Sequence, residues 1–299
     1  MAIIVLFYIC SMKKYFYSIL IILIFIGTLN ASENLQGLED YNKLKADSAK
    51  KVWIVKGFLH DEGKLWASPL GYSKKNYCIA LPVIGATALA IIYDEKIQSN
   101  LQDLVHRNKG IKNAGAFITN GGGDMFGLAT CGLLYFGGLV FRDDKARQTG
   151  FLAAYALAHT AVIIEVGKFM SGRQRPYSGK GKDEWHWFTD YFKHSNTIGD
   201  GYHSSFPSGH AALAWTLASV ISTEYSDNKL VAPIAYTFAT AVSISRLTEY
   251  KHWASDAIIG SVIGYGIGKF AVNHRKNTKW TLLPTYYNNS VILSANYKF

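Results

Sequence analysis

Three polar clusters interrupt an otherwise apolar chain. The first, KFMSGRQRP, runs from Lys168 to Pro176. Lys168 and Arg175 stand seven residues apart, about two helical turns, so on a continuous helix they project from one side, with Pro176 stopping the helix just beyond. Lysine offers phosphate a point charge and arginine a planar fork, although cations near a helix C-terminus equally serve as dipole partners or solvated surface. The second, SFPSGHAALAW, covers residues 205–215. Pro207 fixes its own φ, Ser208 and Gly209 stand where a helix begins, and His210 can carry a proton near neutral pH. The first N–H groups of a helix have no helical partners, which makes such an end an anion site or simply a capped turn. The third, SRLTEYKHWASD, covers residues 245–256. Arg246 closes one apolar run, and His252 and Asp256, four apart, share a helical face at the start of the next. Asp256 can accept a hydrogen bond from one ring nitrogen of His252 and leave the other with its lone pair; an ordinary polar pair at this spacing is the plainer alternative.

Taken together, three cations, a helix N-terminus, two histidines and a carboxylate suit phosphoryl transfer to a histidine. Cations offset charge on the equatorial oxygens, one histidine attacks in line, and the other protonates the leaving oxygen. No metal or other cofactor is expected, because the cations do that work and the sequence carries neither HExxH nor clustered acidic ligands. The other histidines fall outside this set. His159 reads as a core residue on an apolar face, His186, His194 and His203 as loop residues, and His60, His106 and His274 as surface.

Positioning these groups falls to long apolar runs at 77–93, 125–141, 150–166, 211–222, 230–244 and 254–272, each suited to a helix and too long for an ordinary strand. An amphipathic candidate lies at 46–59, a more polar amphipathic stretch at 97–117, and a flexible NGGGD at 120–124. The longest interruption, 177–206, carries Trp185, Trp187, Phe188, Tyr191 and Phe192 among charges; a loop of that length is usually functional. The tail, TLLPTYYNNSVILSANYKF, reads as a β-hairpin around its two asparagines. Cys78 and Cys131 lie in apolar segments and read as small buried hydrophobes, and none of the three cysteines forms a CxxC pair.

The 299 residues hold 31 Lys and Arg against 21 Asp and Glu, a net charge of +10. That balance favours an anionic partner. Without a dense basic run or a nucleic-acid motif, nucleic acid comes last, behind a phosphorylated lipid or a small phosphate ester. Met12-Lys13-Lys14 followed by an apolar core at 15–29 resembles an export signal. The expected organisation is a signal or anchor at 1–31, a polar and amphipathic segment at 32–76, a helical domain at 77–275 and an extended tail at 276–299.

The spacing of the three clusters resembles the signature of the type 2 phosphatidic acid phosphatases. Its parts are Lys-x6-Arg-Pro at Lys168, Arg175 and Pro176, Pro-Ser-Gly-His at 207–210, and Ser-Arg-x5-His-x3-Asp at Ser245, Arg246, His252 and Asp256. The resemblance implies an all-α helical bundle of the kind shared with bacterial nonspecific acid phosphatases and vanadium haloperoxidases. It also implies His252 as the nucleophile, Asp256 as its orienter, and His210 as acid for the leaving alcohol and then base for water. Lys168, Arg175, Ser208, the Gly209 N–H and Arg246 would hold the phosphate. The exported start, apolar bundle and aromatic loop favour a lipid phosphate, of phosphatidate, prenyl diphosphate or lipid A type. The rivals are a soluble acid phosphatase for small esters and, lower, a vanadium haloperoxidase. A bacterial periplasmic or envelope location at a membrane surface is expected.

Overall fold

The computed structural model describes residues 58–67, 74–122, 124–187, 203–277, 280–287 and 290–297. The chain divides into two units, 1–83 and 84–299. Within the first, residues 58–67 are helical. The export signal and nearly all of the amphipathic candidate at 46–59 lie outside the described residues.

Each of the six apolar runs lies in its own helix, and the more polar stretch at 97–117 contributes to a seventh. The helices are α1 (Lys74–Arg107), α2 (Lys109–Gly122), α3 (Asp124–Val140), α4 (Asp144–Ser171), α5 (Gly209–Glu224), α6 (Val231–Thr248) and α7 (Ala254–Asn277). Local chemistry fixes the ends. Asp143 caps α4 by accepting a hydrogen bond from the Ala146 N–H, and Asp144 sits against the positive end of the dipole. Gly172, at φ 53°, ends α4 by turning its N–H back to the Lys168 carbonyl. Two expectations are corrected here. The glycine run after Asn120 is mostly helical, since α2 continues to Gly122 and α3 opens at Asp124. α4 stops at Gly172 and not at Pro176, so Lys168 and Arg175 do not share one helix. Cys131 is buried as expected but Cys78 is exposed, because its apolar run is not fully enclosed.

The centre of the second unit is built from small residues. Ala153, Ala156, Ala211, Ala212, Val220, Ala239 and Val242 are all fully buried. Large apolar side chains lie on the outside, among them Phe117, Leu133, Val140, Phe141, Leu230 and Ile234, with Phe141 83% exposed. Small residues inside allow backbones to approach closely. Gly260, Gly264 and Gly268 recur every fourth residue on α7 and face α5, where an added Cβ would meet the carbonyls of Ser208, Ala212 and Thr216 respectively. That contact sets the start of α5 directly against α7.

Polar bonds complete the bundle. Thr160 and Thr216 share a buried hydrogen bond of 2.8 Å between α4 and α5. Trp215 Nε1 donates to Ser243 Oγ at 3.1 Å between α5 and α6, and Ser243 and Ser261 meet at 3.1 Å between α6 and α7. Gln98 Nε2 on α1 donates to the Leu247 carbonyl at 3.0 Å, satisfying the end of α6. Among the described residues one helix, α4, is long and apolar enough to cross a membrane, and 44% of its apolar window is buried. After α7, strands β1 (Trp280–Tyr287) and β2 (Ser290–Tyr297) pair antiparallel, from Trp280 opposite Tyr297 to Tyr287 opposite Ser290.

The glycine stripe gives a testable contrast. Gly264→Val drives a branched side chain into the Ala212 carbonyl and should destabilise the protein by about 1–3 kcal/mol, the range for overpacking. Gly266 has open space around its Cβ position, so Gly266→Ala should leave stability unchanged or raise it by roughly 0.5–1 kcal/mol. Thermal melting of the purified variants checks both.

Candidate active site

Helix ends bring the site together. α4 carries Lys168 in its last turn. Past Gly172 the chain becomes extended, and Arg173 forms an isolated antiparallel bridge with Trp185. On its other side the Ser205 N–H donates to the Arg173 carbonyl at 3.0 Å. Arg175 leaves this segment and donates from Nη2 to the Ser204 carbonyl at 3.3 Å and Ser204 Oγ at 3.0 Å. Pro176 then opens a short 3-10 turn.

The stretch that enters α5 is pinned from three sides. Ser171 Oγ donates to the Phe206 carbonyl at 2.7 Å, Pro207 lies against Gly167, and the Ser208 N–H donates to the Asp256 carbonyl at 3.0 Å. Ser208 occupies the N-cap of α5, yet its hydroxyl makes no capping bond. Its Oγ and Arg175 Nε are buried and have no hydrogen-bond partner among the described residues. Buried polar atoms are rarely left so, and a ligand is one ordinary explanation. Gly209 is the first residue of α5, where the N–H has no helical partner.

Arg246 lies in the last turn of α6. Beyond it, Tyr250 adopts φ 62°, and the N–H groups of Lys251 and His252 both return to the Arg246 carbonyl, at 3.0 and 3.3 Å. This tight turn delivers His252 to the interior, 2% exposed. Its Nδ1 lies 2.7 Å from the Ser205 carbonyl. A carbonyl only accepts, so Nδ1 carries the hydrogen and Nε2 keeps its lone pair.

The expected hydrogen bond from His252 to Asp256 is therefore corrected. The two side chains are 3.8 Å apart, beyond hydrogen-bond reach. Asp256 Oδ2 accepts instead from Ser205 Oγ at 2.5 Å and the Trp253 N–H at 2.8 Å, while Oδ1 accepts from Arg173 Nη1 at 2.6 Å. Asp256 thus touches the same serine whose carbonyl holds the imidazole. The i,i+4 spacing was legible; the serine standing between the pair, 51 positions from Asp256 in the chain, was not.

The charges converge. The positive charges of Lys168, Arg175 and Arg246 all act on both His210 and His252. Burial first, and then these cations, hold both imidazoles well below their ordinary pKa. Burial pushes the Asp256 carboxyl up, while the Arg173 guanidinium, the Ser205 hydroxyl and the Trp253 N–H pull it back. Two cations have carboxylate neighbours three residues away. Lys168 Nζ pairs with Glu165 at 2.6 Å, and Arg246 Nη1 pairs with Glu249 at 2.6 Å. Arg246 Nη1 also approaches Thr119 Oγ1 at 3.3 Å, which in turn bonds Ser245 Oγ. The sequence reading omitted Glu165 and Glu249, although their spacing from each cation was visible.

Other candidates fall elsewhere. His159 is buried and edge-on to Tyr155, as a core residue. His186 lies 3.2 Å from Gln174 Nε2 and edge-on to His203. Trp185 stacks on Trp187 with centroids 5.6 Å apart, while Phe188, Tyr191, Phe192 and His194 lie outside the described residues. Among the described residues no three His, Cys, Asp or Glu side chains gather as a metal site requires.

Residues 149–280 match the family model described as PAP2 superfamily. A 118-residue stretch is 30% identical to the Lipid A 1-phosphatase of Porphyromonas gingivalis, covering 39% of this chain and 21% of that protein, so the match spans about a fifth of the relative's length. Two solved structures are similar at low identity. LpxE of Aquifex aeolicus matches with a TM-score of 0.45 and 19% identity, over 60% of this chain and 94% of that one. A transmembrane PAP2-type phosphatidylglycerolphosphate phosphatase of Bacillus subtilis matches with a TM-score of 0.47 and 18% identity, over 67% and 96%. The residues that match the PAP2 superfamily model, 149–280, contain all three polar clusters.

Proposed function

We propose that the protein is a lipid phosphatase that removes a phosphate group through a phosphohistidine on His252, without need of a metal. The observation that carries this reading is the placing of three cations whose charge acts on both the half-buried His210 and the buried His252, beside a helix N-cap whose hydroxyl has no partner among the described residues.

In this reading the phosphate oxygens take Ser208 Oγ, the N–H at Gly209, Arg175 Nε, and the positive ends of Lys168 and Arg246. A dianion among three cations is strongly favoured at a helix N-terminus. Glu165 and Glu249 hold Lys168 and Arg246 extended until the phosphate oxygens compete for them. His252 Nε2 attacks phosphorus; the P–N bond forms as the bond to the leaving oxygen breaks. His210 gives that oxygen its proton. A water molecule then gives a proton back to His210 while its oxygen attacks phosphorus and the P–N bond breaks. Phosphate departs and both imidazoles are restored.

The charge logic is consistent at each step. Low proton affinity suits His252, which must be neutral to attack. The same depression is wrong for an acid, but His210 feels it partly through Arg246, Lys168 and Arg175. A bound dianion cancels those charges and returns proton affinity to His210 when a proton is needed. The expected role of Asp256 becomes indirect, through Ser205.

A lipid substrate is supported by the apolar outer faces and by the similarity to a relative named as a lipid A phosphatase. The proposed setting is the bacterial envelope, at a membrane, with exported orientation as the sequence start suggests. The decisive assay measures phosphate release by purified protein in detergent from phosphatidate, a prenyl diphosphate, lipid A and p-nitrophenyl phosphate. A lipid phosphatase turns over at least one lipid far faster than the small ester; equal or better turnover of p-nitrophenyl phosphate rejects the lipid preference.

His252→Ala should abolish turnover and the acid-labile phosphoenzyme, and His210→Gln should slow turnover by roughly 10²- to 10⁴-fold, the range for general acid–base catalysis. EDTA should leave the rate unchanged. Full activity in His252→Ala, or strict loss in EDTA, excludes the mechanism.

The acid limb of kcat/KM should lie below the ordinary imidazole value of 6.5, because His252 stays unprotonated there. Arg246→Gln removes a positive charge, raises the affinity of His252 for a proton and should move that limb to higher pH. A pH–rate profile of both proteins checks the sign.

A further inference from the structure

Arg173 has no part in the steps above, yet it is the largest fully buried side chain in the described structure. Its Nη1 donates to Asp256 Oδ1 at 2.6 Å and Ser255 Oγ at 2.7 Å. Nη2 donates to Asp94 Oδ2 at 2.8 Å, and Nη2 and Nε both approach the Lys182 carbonyl at 3.2 Å. The rings of Trp185 and Trp253 lie 4.7 and 5.5 Å from the guanidinium carbon. Every nitrogen of the fork is used. Asp94, on α1, also accepts from the Ser255 N–H at 3.0 Å and from Ser255 Oγ at 2.5 Å, so it grips the first turn of α7 as well.

Burying two carboxylates and a guanidinium is a poor way to gain stability, because desolvation costs several kcal/mol per ion and apolar residues of similar volume often do as well. A fixed geometry is the better account. The chain of contacts runs from Asp94 through Arg173 to Asp256, from Asp256 to Ser205, and from the Ser205 carbonyl to His252 Nδ1. It ends on the nitrogen that decides which side of the imidazole is free to attack.

We propose that Arg173, held by Asp94, is a positioning residue that fixes the Asp256 carboxylate beneath Ser205 and so keeps His252 in its attacking tautomer and orientation. This rests on the phosphohistidine reading. Arg173 touches neither the phosphate-binding side chains nor His252 directly in any contact described above, so its removal should act on the chemical step and not on substrate binding.

The charged groups around Asp256 fix the sign of its pH response. Arg173 is in contact with it from the extended segment, Asp94 stands behind Arg173 on α1, and His252 lies on the turn before α7; the charges of Lys168, Arg175 and Arg246 act on His252 in turn, and His252 on His210. Losing Arg173 leaves Asp256 buried with no cation against it, so it takes up a proton at higher pH and its grip on Ser205 changes. Losing Asp94 removes a negative charge and has the opposite sign.

The test begins with wild-type protein, whose turnover and trapped phosphoenzyme establish the underlying reading; if the wild type forms no phosphoenzyme, that reading fails by itself, before any variant is made. Arg173→Met, Arg173→Lys and Asp94→Asn are then compared by kcat, KM, pH profile and melting temperature. Arg173→Met should lower kcat about 10²-fold, the scale of a small misplacement of a reacting group, leave KM within about threefold, and move the acid limb of kcat to higher pH. Arg173→Lys keeps the charge and loses the fork, so kcat should fall while the limb stays. Asp94→Asn should lower kcat with the limb unmoved or moved to lower pH. If Arg173→Met does not fold, the double variant Arg173→Met/Asp94→Leu, which leaves no unmatched carboxylate on α1, should fold and show the same kcat loss with a smaller limb shift to higher pH, because the loss of Asp94 offsets part of it. Folded variants with unchanged kcat and pH profile, or with losses that merely follow the folded fraction, overturn the proposal.

Discussion

Three positive side chains, Lys168 and Arg175 from one stretch of the sequence and Arg246 from another, act on the same two imidazoles, and most of the surrounding structure answers to that constraint. Like charges repel strongly where water is excluded. Lys168 and Arg246 each have a carboxylate one turn away, in Glu165 and Glu249, which limits the repulsion without cancelling it. Arg175 is held by uncharged oxygens of Ser204. Burial, reinforced by the residual positive field, holds both imidazoles well below their ordinary pKa, which suits a nitrogen nucleophile and not a proton donor. On the proposed reading, the missing negative charge is the substrate's own.

The segment before α5 is the mechanical counterpart of this field. Ser205 pairs with Arg173 through its N–H, with His252 through its carbonyl and with Asp256 through its hydroxyl. One residue therefore ties three of the approaching chains together. Its neighbours are held as firmly, Phe206 by Ser171 and Ser208 by the Asp256 carbonyl. None of this would register correctly if α5 and α7 stood further apart, and the glycines at 260, 264 and 268 are what let them close. Packing by small residues in the bundle and alignment of the site are one structural fact.

The helices were legible because each rests on a local signal. Apolar runs of helical length became helices, and each cluster sat at a helix end, where backbone groups and dipoles are available. What escaped was whatever depends on a partner distant in sequence. Nothing in the spacing of His252 and Asp256 reveals that a serine stands between them. Arg173 reads as one more basic residue among Lys168, Arg175 and Lys182, and Asp94 as a charge at the edge of an apolar run; only the fold turns them into a buried pair at 2.8 Å. The end of α4 is set by Gly172, the residue able to adopt a left-handed turn, four residues before the Pro176 that the sequence offered as the stop.

The distribution of polarity bears on the kind of substrate. Cations, imidazoles and the Ser208 hydroxyl, which has no partner among the described residues, gather at helix ends, whereas Phe117, Leu133 and Ile234 are exposed on helices. Large exposed apolar patches mark sites of contact, a membrane surface among them. A lipid phosphate has the same order of polarity along its length, an anion joined to hydrocarbon. On the proposed reading the anion takes the helix ends and the hydrocarbon the apolar outer surface of the bundle. A small water-soluble ester would draw only on the charged end of that arrangement, so the apolar outer surface favours the lipid for a reason separate from the chemistry of the cleavage itself.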